Sequence, residues 1–304
     1  MPAKELLLGL AHLMRPAEWS KSLGNMVLAV IIASYIFNFI PTIPKFVLGF
    51  FSVALLWSGL YALNDYTDWQ KDAMHKMKRK RPIPSGAVSP IVGLVFSLVL
   101  LVVSFAIALL FSLGTLFLIC LLVMLTNQLF YTLKPWNFKK RPILDLISGS
   151  MINPIFRYYA GWVLFMPFFN SPVLPLLFVI GLQFGGYGLY RMSGKKFEKK
   201  QSYKSSVVLF GEKRLRIAYY FALAIASLSF VALCLNSIYL FEPVKFGFLP
   251  LEFLALGLLM LLGVPFYKTA LKDPQNMNMR QMYWITYAQN LAFIAGMIVL
   301  YFVL

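Results

Sequence analysis

Acidic side chains are scarce in this chain: 11 Asp and Glu stand against 28 Lys and Arg. Cysteine and histidine occur twice each. Cys120 and Cys234 both fall inside apolar runs, so there is neither a disulfide framework nor the Cys and His spacing of a zinc site. Charged residues make up 13% of the chain, against roughly 25% in soluble domains. With 60% hydrophobic residues and a mean hydropathy of +0.74, that shortage excludes an ordinary water-soluble globule. A short apolar run from Leu6 to Leu13 is followed by no small-residue cleavage site, so it reads as an interfacial helix rather than a signal peptide.

Apolar runs of spanning length need about 20 residues. Nine stretches fit: 23–40, 46–63, 91–111, 113–132, 143–165, 172–190, 217–240, 248–266 and 283–304. The expected fold is all-α, a polytopic membrane helix bundle of about nine transmembrane helices forming one domain over residues 1–304, with residues 1–22 as an interfacial segment. A net charge of +17 could suit nucleic acid, but the cations alternate with membrane-length runs, which points to an anionic leaflet and phosphorylated substrates instead. If the nine runs cross in turn, all Lys and Arg lie on one side except Lys45 and Lys245, with Arg157 inside a span. The positive-inside rule then makes the N-terminus cytoplasmic. It also makes the loops at about 64–90 and 191–216 cytoplasmic, where they would cap an active site.

Three of the 11 acids fall within eight residues, in Asn64-Asp65-Tyr66-Thr67-Asp68-Trp69-Gln70-Lys71-Asp72. On a helix, Asn64, Asp68 and Asp72 stack at i, i+4 and i+8, with Asp65 beside them. Crowded carboxylates repel unless a cation joins them, and hard oxygen donors suit Mg2+ shared with a substrate phosphate. The plainer reading is a solvated helix end. Five cations then fall in the six residues Lys76 to Arg81, before Pro82-Ile83-Pro84-Ser85-Gly86. Lys78 and Arg81 would complete a phosphate clamp on a shaped loop, where the plainer reading is a topogenic charge run. His75 reads as a loop residue.

Other polar residues are placed where they would line the bundle. Lys21 stands at the mouth of the first span, Asn127 and Tyr131 share one face of the fourth, and Asp145 and Arg157 enter the fifth. Offset by 126 residues, Leu63-Asn64-Asp65 aligns with Leu189-Tyr190-Arg191, Asp68 with Gly194, and Asp72 with Glu198. That hints at a repeat whose second copy has exchanged acids for the cations Arg191, Lys195 and Lys196. The last three spans are chemically quiet, with Asn236, Glu242, Glu252, Lys268, Asp273 and Arg280 scattered along them.

The run Asn64 to Asp72, of the form Asn-Asp-x-x-Asp-x-x-x-Asp, resembles the first motif of the UbiA superfamily of membrane-embedded prenyltransferases. The loop ending Arg81-Pro82-Ile83-Pro84-Ser85-Gly86 is similar too. Over about residues 14–210 the sequence looks most like the decaprenyl-phosphate phosphoribosyltransferase branch. The matching pieces are Arg15-Pro16-x-x-Trp19-x-Lys21, the stretch from Asp145 to Arg157-x-x-Ala160-Gly161, Gly194-Lys195-Lys196-x-Glu198, and Ser202-Tyr203-x-x-Ser206. Two departures stand out: Lys76, not proline, follows His75, and only Glu198 remains of a second acidic motif. The resemblance implies a Mg2+-dependent transferase. Asp65, Asp68 and Asp72 would hold the metal on the diphosphate of 5-phosphoribosyl diphosphate. Lys78, Arg81, Lys195 and Lys196 would stabilise the leaving group, and Tyr190 or Glu198 would orient a polyprenyl phosphate acceptor. The alternatives are prenyl transfer from a polyprenyl diphosphate to an aromatic or polar acceptor, and, from another class, a transporter with Asp145 and Arg157 on its path.

Overall fold

The computed structural model describes residues 3–74, 78–235, 239–241, 244–245 and 247–304. His75, Lys76, Asn236 and Glu242 therefore lie outside the described residues. The described chain is helical apart from one antiparallel ribbon, β1 Tyr239–Phe241 with β2 Val244–Lys245.

Among the described residues each of the nine apolar runs is mostly helical, the seventh ending at Leu233 before the ribbon. A helix α1 (Ala3–Met14) leads through a short turn into α2 (Trp19–Phe37). Then come α3 (Ile43–Ala73), α4 (Pro90–Leu110) and α5 (Thr115–Thr132). The fifth run is one continuous helical rod: α6 (Leu144–Ile147), a π-helical turn Ser148–Ile152, and α7 (Asn153–Val163). Next are α8 (Val173–Lys200) and α9 (Ser206–Leu233). The eighth run is a 3-10 turn Leu251–Leu256 with α10 (Gly257–Leu261), followed after a 47° bend by α11 (Val264–Lys272). Pro265 accounts for the bend, because it brings no N–H to the helix ladder. Gln289 Nε2 donates to the Leu259 and Met260 carbonyls beside the break, at 3.0 and 3.3 Å. The ninth run is α12 (Met279–Val303). Among the described residues seven helical stretches are long and apolar enough to cross a membrane, or eight if the bent pair is one span.

The structure departs from the sequence reading at the helix ends. The apolar runs stop at 63 and 190, yet α3 continues to Ala73 and α8 to Lys200, while α9 starts eleven residues before its run. The stretch 191–216, expected as a loop, is helix except around 201–205. Hydropathy marks where the chain meets hydrocarbon. A helix satisfies its own backbone and continues into water until a breaker stops it.

Packing between the rods uses small residues and backbone acceptors. Ser52 and Ser104 each donate to the other's carbonyl, at 2.9 and 2.7 Å, and Ser97 donates to the Gly59 carbonyl at 2.7 Å, joining α3 to α4. At Gly161 on α7 a Cβ would meet the Met26 Cα at 2.6 Å, so α2 and α7 touch backbone to backbone. Small residues allow this close approach in membrane bundles. The main core runs through α2, α3, α5, α7 and α8 to the aromatic trio Phe178, Phe230 and Phe293, and a second cluster joins the ends of α8 and α9 to α11 and α12.

Candidate active site

The acidic run is wholly helical, at the end of α3. Asp65 and Asp72 are buried, at 1% and 2% exposure, and face the same side. One guanidinium nitrogen joins them: Arg81 Nη1 donates to Asp65 Oδ1 at 2.9 Å and to Asp72 Oδ2 at 2.6 Å. Arg15 Nη2 also donates to Asp65 Oδ1, at 2.5 Å, and Lys78 Nζ stands 3.7 Å from Asp72 Oδ1. Asp68 turns aside and accepts from Lys139 Nζ at 2.6 Å. Among the described residues no three acidic, histidine or cysteine side chains gather on one point, so the carboxylates divide into a converging pair and a neighbour.

Local chain geometry places the cations. Arg15 sits at φ 50°, in left-handed backbone between α1 and the turn Pro16–Glu18, a conformation that costs about 1–3 kcal/mol and recurs at functional sites. The loop after residue 78 is shaped, as its prolines and Gly86 predicted. Ile83 is buried with Leu13, Ala62 and Val88, and Val88 N donates to the Pro82 carbonyl at 3.0 Å. That anchor fixes Arg81 over α3. The Lys78 ammonium is held above its ordinary range, chiefly by Tyr190 and then by Asp72. Burial pushes Lys139 down, against the opposing pull of Asp68.

The second polar site is a buried network in which one donor, Arg191 Nε, has no hydrogen-bond partner among the described residues. Arg191 is 3% exposed and donates to Asp145 Oδ2 at 2.7 Å and to the Lys139 carbonyl at 3.2 Å, while pairing with Glu198 Oε1 at 2.8 Å. Ser206 gives Asp145 its backbone N–H at 3.0 Å and its hydroxyl at 2.5 Å, and Ser205 donates to Glu198 Oε2 at 2.5 Å. Arg191 and Glu198 are thus spent on each other and on Asp145. Lys195 faces Glu212 at 3.4 Å, and Lys196 is exposed.

Between these two sites lies a polar interior. Glu18 accepts from Tyr287 at 2.6 Å and from Tyr61 at 3.3 Å, and pairs with Lys21 at 2.6 Å. Arg157 is buried with its guanidinium 3.8 Å over the Trp57 ring, and its Nε has no hydrogen-bond partner among the described residues. Tyr131 and Tyr187 share a hydrogen bond of 2.7 Å. Asn127 braces the π-helical turn: it donates to the Ser148 carbonyl at 3.0 Å and to Asn153 at 2.7 Å, and accepts from the Ser148 hydroxyl at 2.8 Å. Asn64 accepts from Thr132 at 3.5 Å.

The sequence-predicted residues therefore fall into groups. Asp65, Asp72, Lys78 and Arg81 come together, with Tyr190 close to Lys78. Asp145 pairs with Arg191, and Arg157 lies elsewhere. Sequence reasoning gave no site role to Arg15, Glu18, Lys139, Ser205, Ser206 and Tyr287. Arg15 and Lys139 reach their partners across 50 and 71 residues, which no local pattern reports.

The Asp65–Asp72 pair fits a magnesium ion. Its donors are hard carboxylate oxygens already sharing one positively charged donor, and Mg2+ takes one or two carboxylates with waters and phosphate completing its shell. The pair lies at the polar end of α3, beside the cations Arg15, Lys78 and Arg81. Comparison with known proteins gives the family: a model described as the UbiA prenyltransferase family matches residues 25–287, and the chain belongs to it. The chain is 28% identical over 221 residues to the decaprenyl-phosphate phosphoribosyltransferase of Mycolicibacterium smegmatis, covering 69% of this chain and 67% of that one. It is 31% identical over 140 residues to the protoheme IX farnesyltransferase of Leptospira biflexa, covering 42% and 48%. The structure of a UbiA homolog from Archaeoglobus fulgidus bound to GPP and Mg2+ superposes with a TM-score of 0.72 at 20% identity, covering 96% of this chain and 98% of that one. The protein is thus an integral membrane enzyme of a transferase family, and the transporter reading has no further support.

Proposed function

We propose that the protein transfers the 5-phosphoribosyl group of 5-phosphoribosyl diphosphate to a polyprenyl phosphate, with Mg2+, at the cytoplasmic face of the membrane. One observation carries this reading: the acids are one-sided. At the end of α3, Asp65 and Asp72 converge, whereas at the end of α8 Arg191 stands and Glu198 is tied to it. A diphosphate is then held through acids on one side only, and its remaining charge falls to Arg15, Lys78 and Arg81. The longer of the two matches, to a phosphoribosyltransferase, supports the same reading.

Asp65 and Asp72 are the residues that would hold Mg2+, which when bound supplies positive charge to the leaving diphosphate. Asp68 stands beside them and keeps Lys139 in place. Lys78 and Arg81 stabilise the departing oxygens. Tyr190, against Lys78, orients the donor. The lipid phosphate enters between helices and is drawn by Lys21 and by Arg157, whose stacked guanidinium keeps an unpartnered N–H. The new bond joins a lipid phosphate oxygen to the anomeric carbon as the carbon–diphosphate bond breaks. The attacking oxygen is already anionic, so positioning rather than a strong base sets the rate. Asn64, Asn127 and Tyr131 hold the framework between the two helix ends. Lys195 and Lys196 attract anions at the mouth, and the polar ends at 64–90 and 191–216 form its cap.

The farnesyltransferase match favours a second reading, in which a polyprenyl diphosphate gives its prenyl group to an aromatic or polar acceptor. A transfer assay in detergent separates the two. The expected result is label passing from the sugar donor into polyprenyl phosphate, stopped by EDTA and lowered about 100-fold by Asp72→Asn. Label leaving a polyprenyl diphosphate instead would establish the second reading.

A further inference from the structure

Outside the acid pair, three lysines meet at the same end of the bundle with little to neutralise them. Lys71 on α3 lies 5.9 Å from the centre of the Tyr203 ring, and Lys140, in the turn after α5, lies 4.7 Å from it. Both ammonium groups therefore face the same ring. Lys139 is beside them, and among the described residues its one carboxylate partner is Asp68. Burial first, then the neighbouring Lys71 and Lys139, push Lys140 down to about 8. Like charges gathered around one ring mark a place where an anion would relieve repulsion.

Lys71 also lines a cavity of about 340 Å³, together with Thr67, Asp68, Gln70, Thr132 and Asn137. Its wall mixes hydroxyl, amide and carboxylate groups with the Tyr66 and Trp69 rings and Leu133, and Asn137 Oδ1 is buried with no hydrogen-bond partner among the described residues. Polar groups beside ring faces suit a hydroxylated ring, whose hydroxyls bond to the first and whose C–H face packs on the second. Asp68, which lines the cavity, is three residues from Asp65 and four from Asp72 on α3, so the cavity and the acid pair adjoin along the same helix end.

We propose that Lys71, Lys139 and Lys140 seat a phosphomonoester, the 5-phosphate of the sugar donor, while the adjoining cavity takes its hydroxylated ring. This rests on the phosphoribosyl reading and deepens it. The donor would then be gripped at both ends, its diphosphate beside Asp65, Asp72 and Arg81 and its 5-phosphate at the lysines.

The test is calorimetric binding to the purified full-length protein in detergent, with three probes: ribose 5-phosphate, ribose, and inorganic diphosphate with Mg2+. Ribose 5-phosphate should bind and ribose should not. Lys140→Gln should weaken ribose 5-phosphate about tenfold, leave diphosphate binding unchanged, and be rescued by Lys140→Arg. Diphosphate binding also shows that the variant is folded. Ribose 5-phosphate binding no better than ribose overturns the proposal, as does equal weakening of both anions or no rescue by arginine. The two readings fail separately. Transfer from 5-phosphoribosyl diphosphate with an unchanged KM in Lys140→Gln removes the seat and keeps the function. Lysine-dependent ribose 5-phosphate binding without any transfer from that donor keeps the seat and removes the function.

Discussion

At the scale of single residues, the acids of this chain separate by partner. Asp65 and Asp72 share one guanidinium nitrogen, while Asp145 and Glu198 enclose Arg191. Those two arrangements respond differently to substitution. Arg191→Met leaves two buried carboxylates without their cation, which costs about 3–5 kcal/mol. The expected result is a lower thermal midpoint in detergent, with the KM for the sugar donor unchanged in whatever protein remains folded. A selective rise in that KM at unchanged stability would return Arg191 to phosphate binding. That the acids share a helix end was legible from their spacing, which stacked Asn64, Asp68 and Asp72 with Asp65 beside them; the structure instead joins Asp65 to Asp72, seven residues apart on one face. The turning away of Asp68 was not legible, because it follows from Lys139, on another element. The offset alignment pointed to Arg191 and Glu198 as a pair of positions but could not show that they neutralise each other.

At the scale of elements, the apolar runs read correctly as helices and their ends did not. Polar helix beyond the hydrocarbon looks like loop to a hydropathy reading, so the polar ends of α3, α8 and α9 were hidden. The π-helical turn before α7 was also invisible, since it depends on Asn127 bracing Ser148 and Asn153 from α5. Contact between elements gives a direct test. An alanine at Gly161 sets its Cβ against the Met26 backbone at 2.6 Å, and backbone does not give way as a side-chain tip does. Gly161→Ala should lower stability by about 1–3 kcal/mol. Gly186→Ala, on α8 with nothing within 4 Å of its Cβ, should be neutral or gain up to about 1 kcal/mol. Thermal midpoints of the two variants measured side by side check the contrast.

At the scale of the whole molecule, the proposed orientation rests on the distribution of charge. Both native cysteines are buried, so an introduced thiol reports on its own position. Lys196 is exposed at the charged end, and Phe168 is 65% exposed in the turn between α7 and α8 at the other end. On intact cells a membrane-impermeant maleimide should label Phe168→Cys and reach Lys196→Cys only after permeabilisation. The opposite pattern would invert the assignment of the active site to the cytoplasmic face.

Arg81 already serves two carboxylates, at 2.9 and 2.6 Å. A phosphate that recruits this guanidinium therefore takes over an occupied donor. Capture at that corner is an exchange of partners, with as many charge-assisted hydrogen bonds given up as are formed. Such an exchange releases little heat. In a titration the corner would be nearly silent in enthalpy, and affinity there would rise with whatever other cation relieves Asp65 and Asp72 of their need for Arg81.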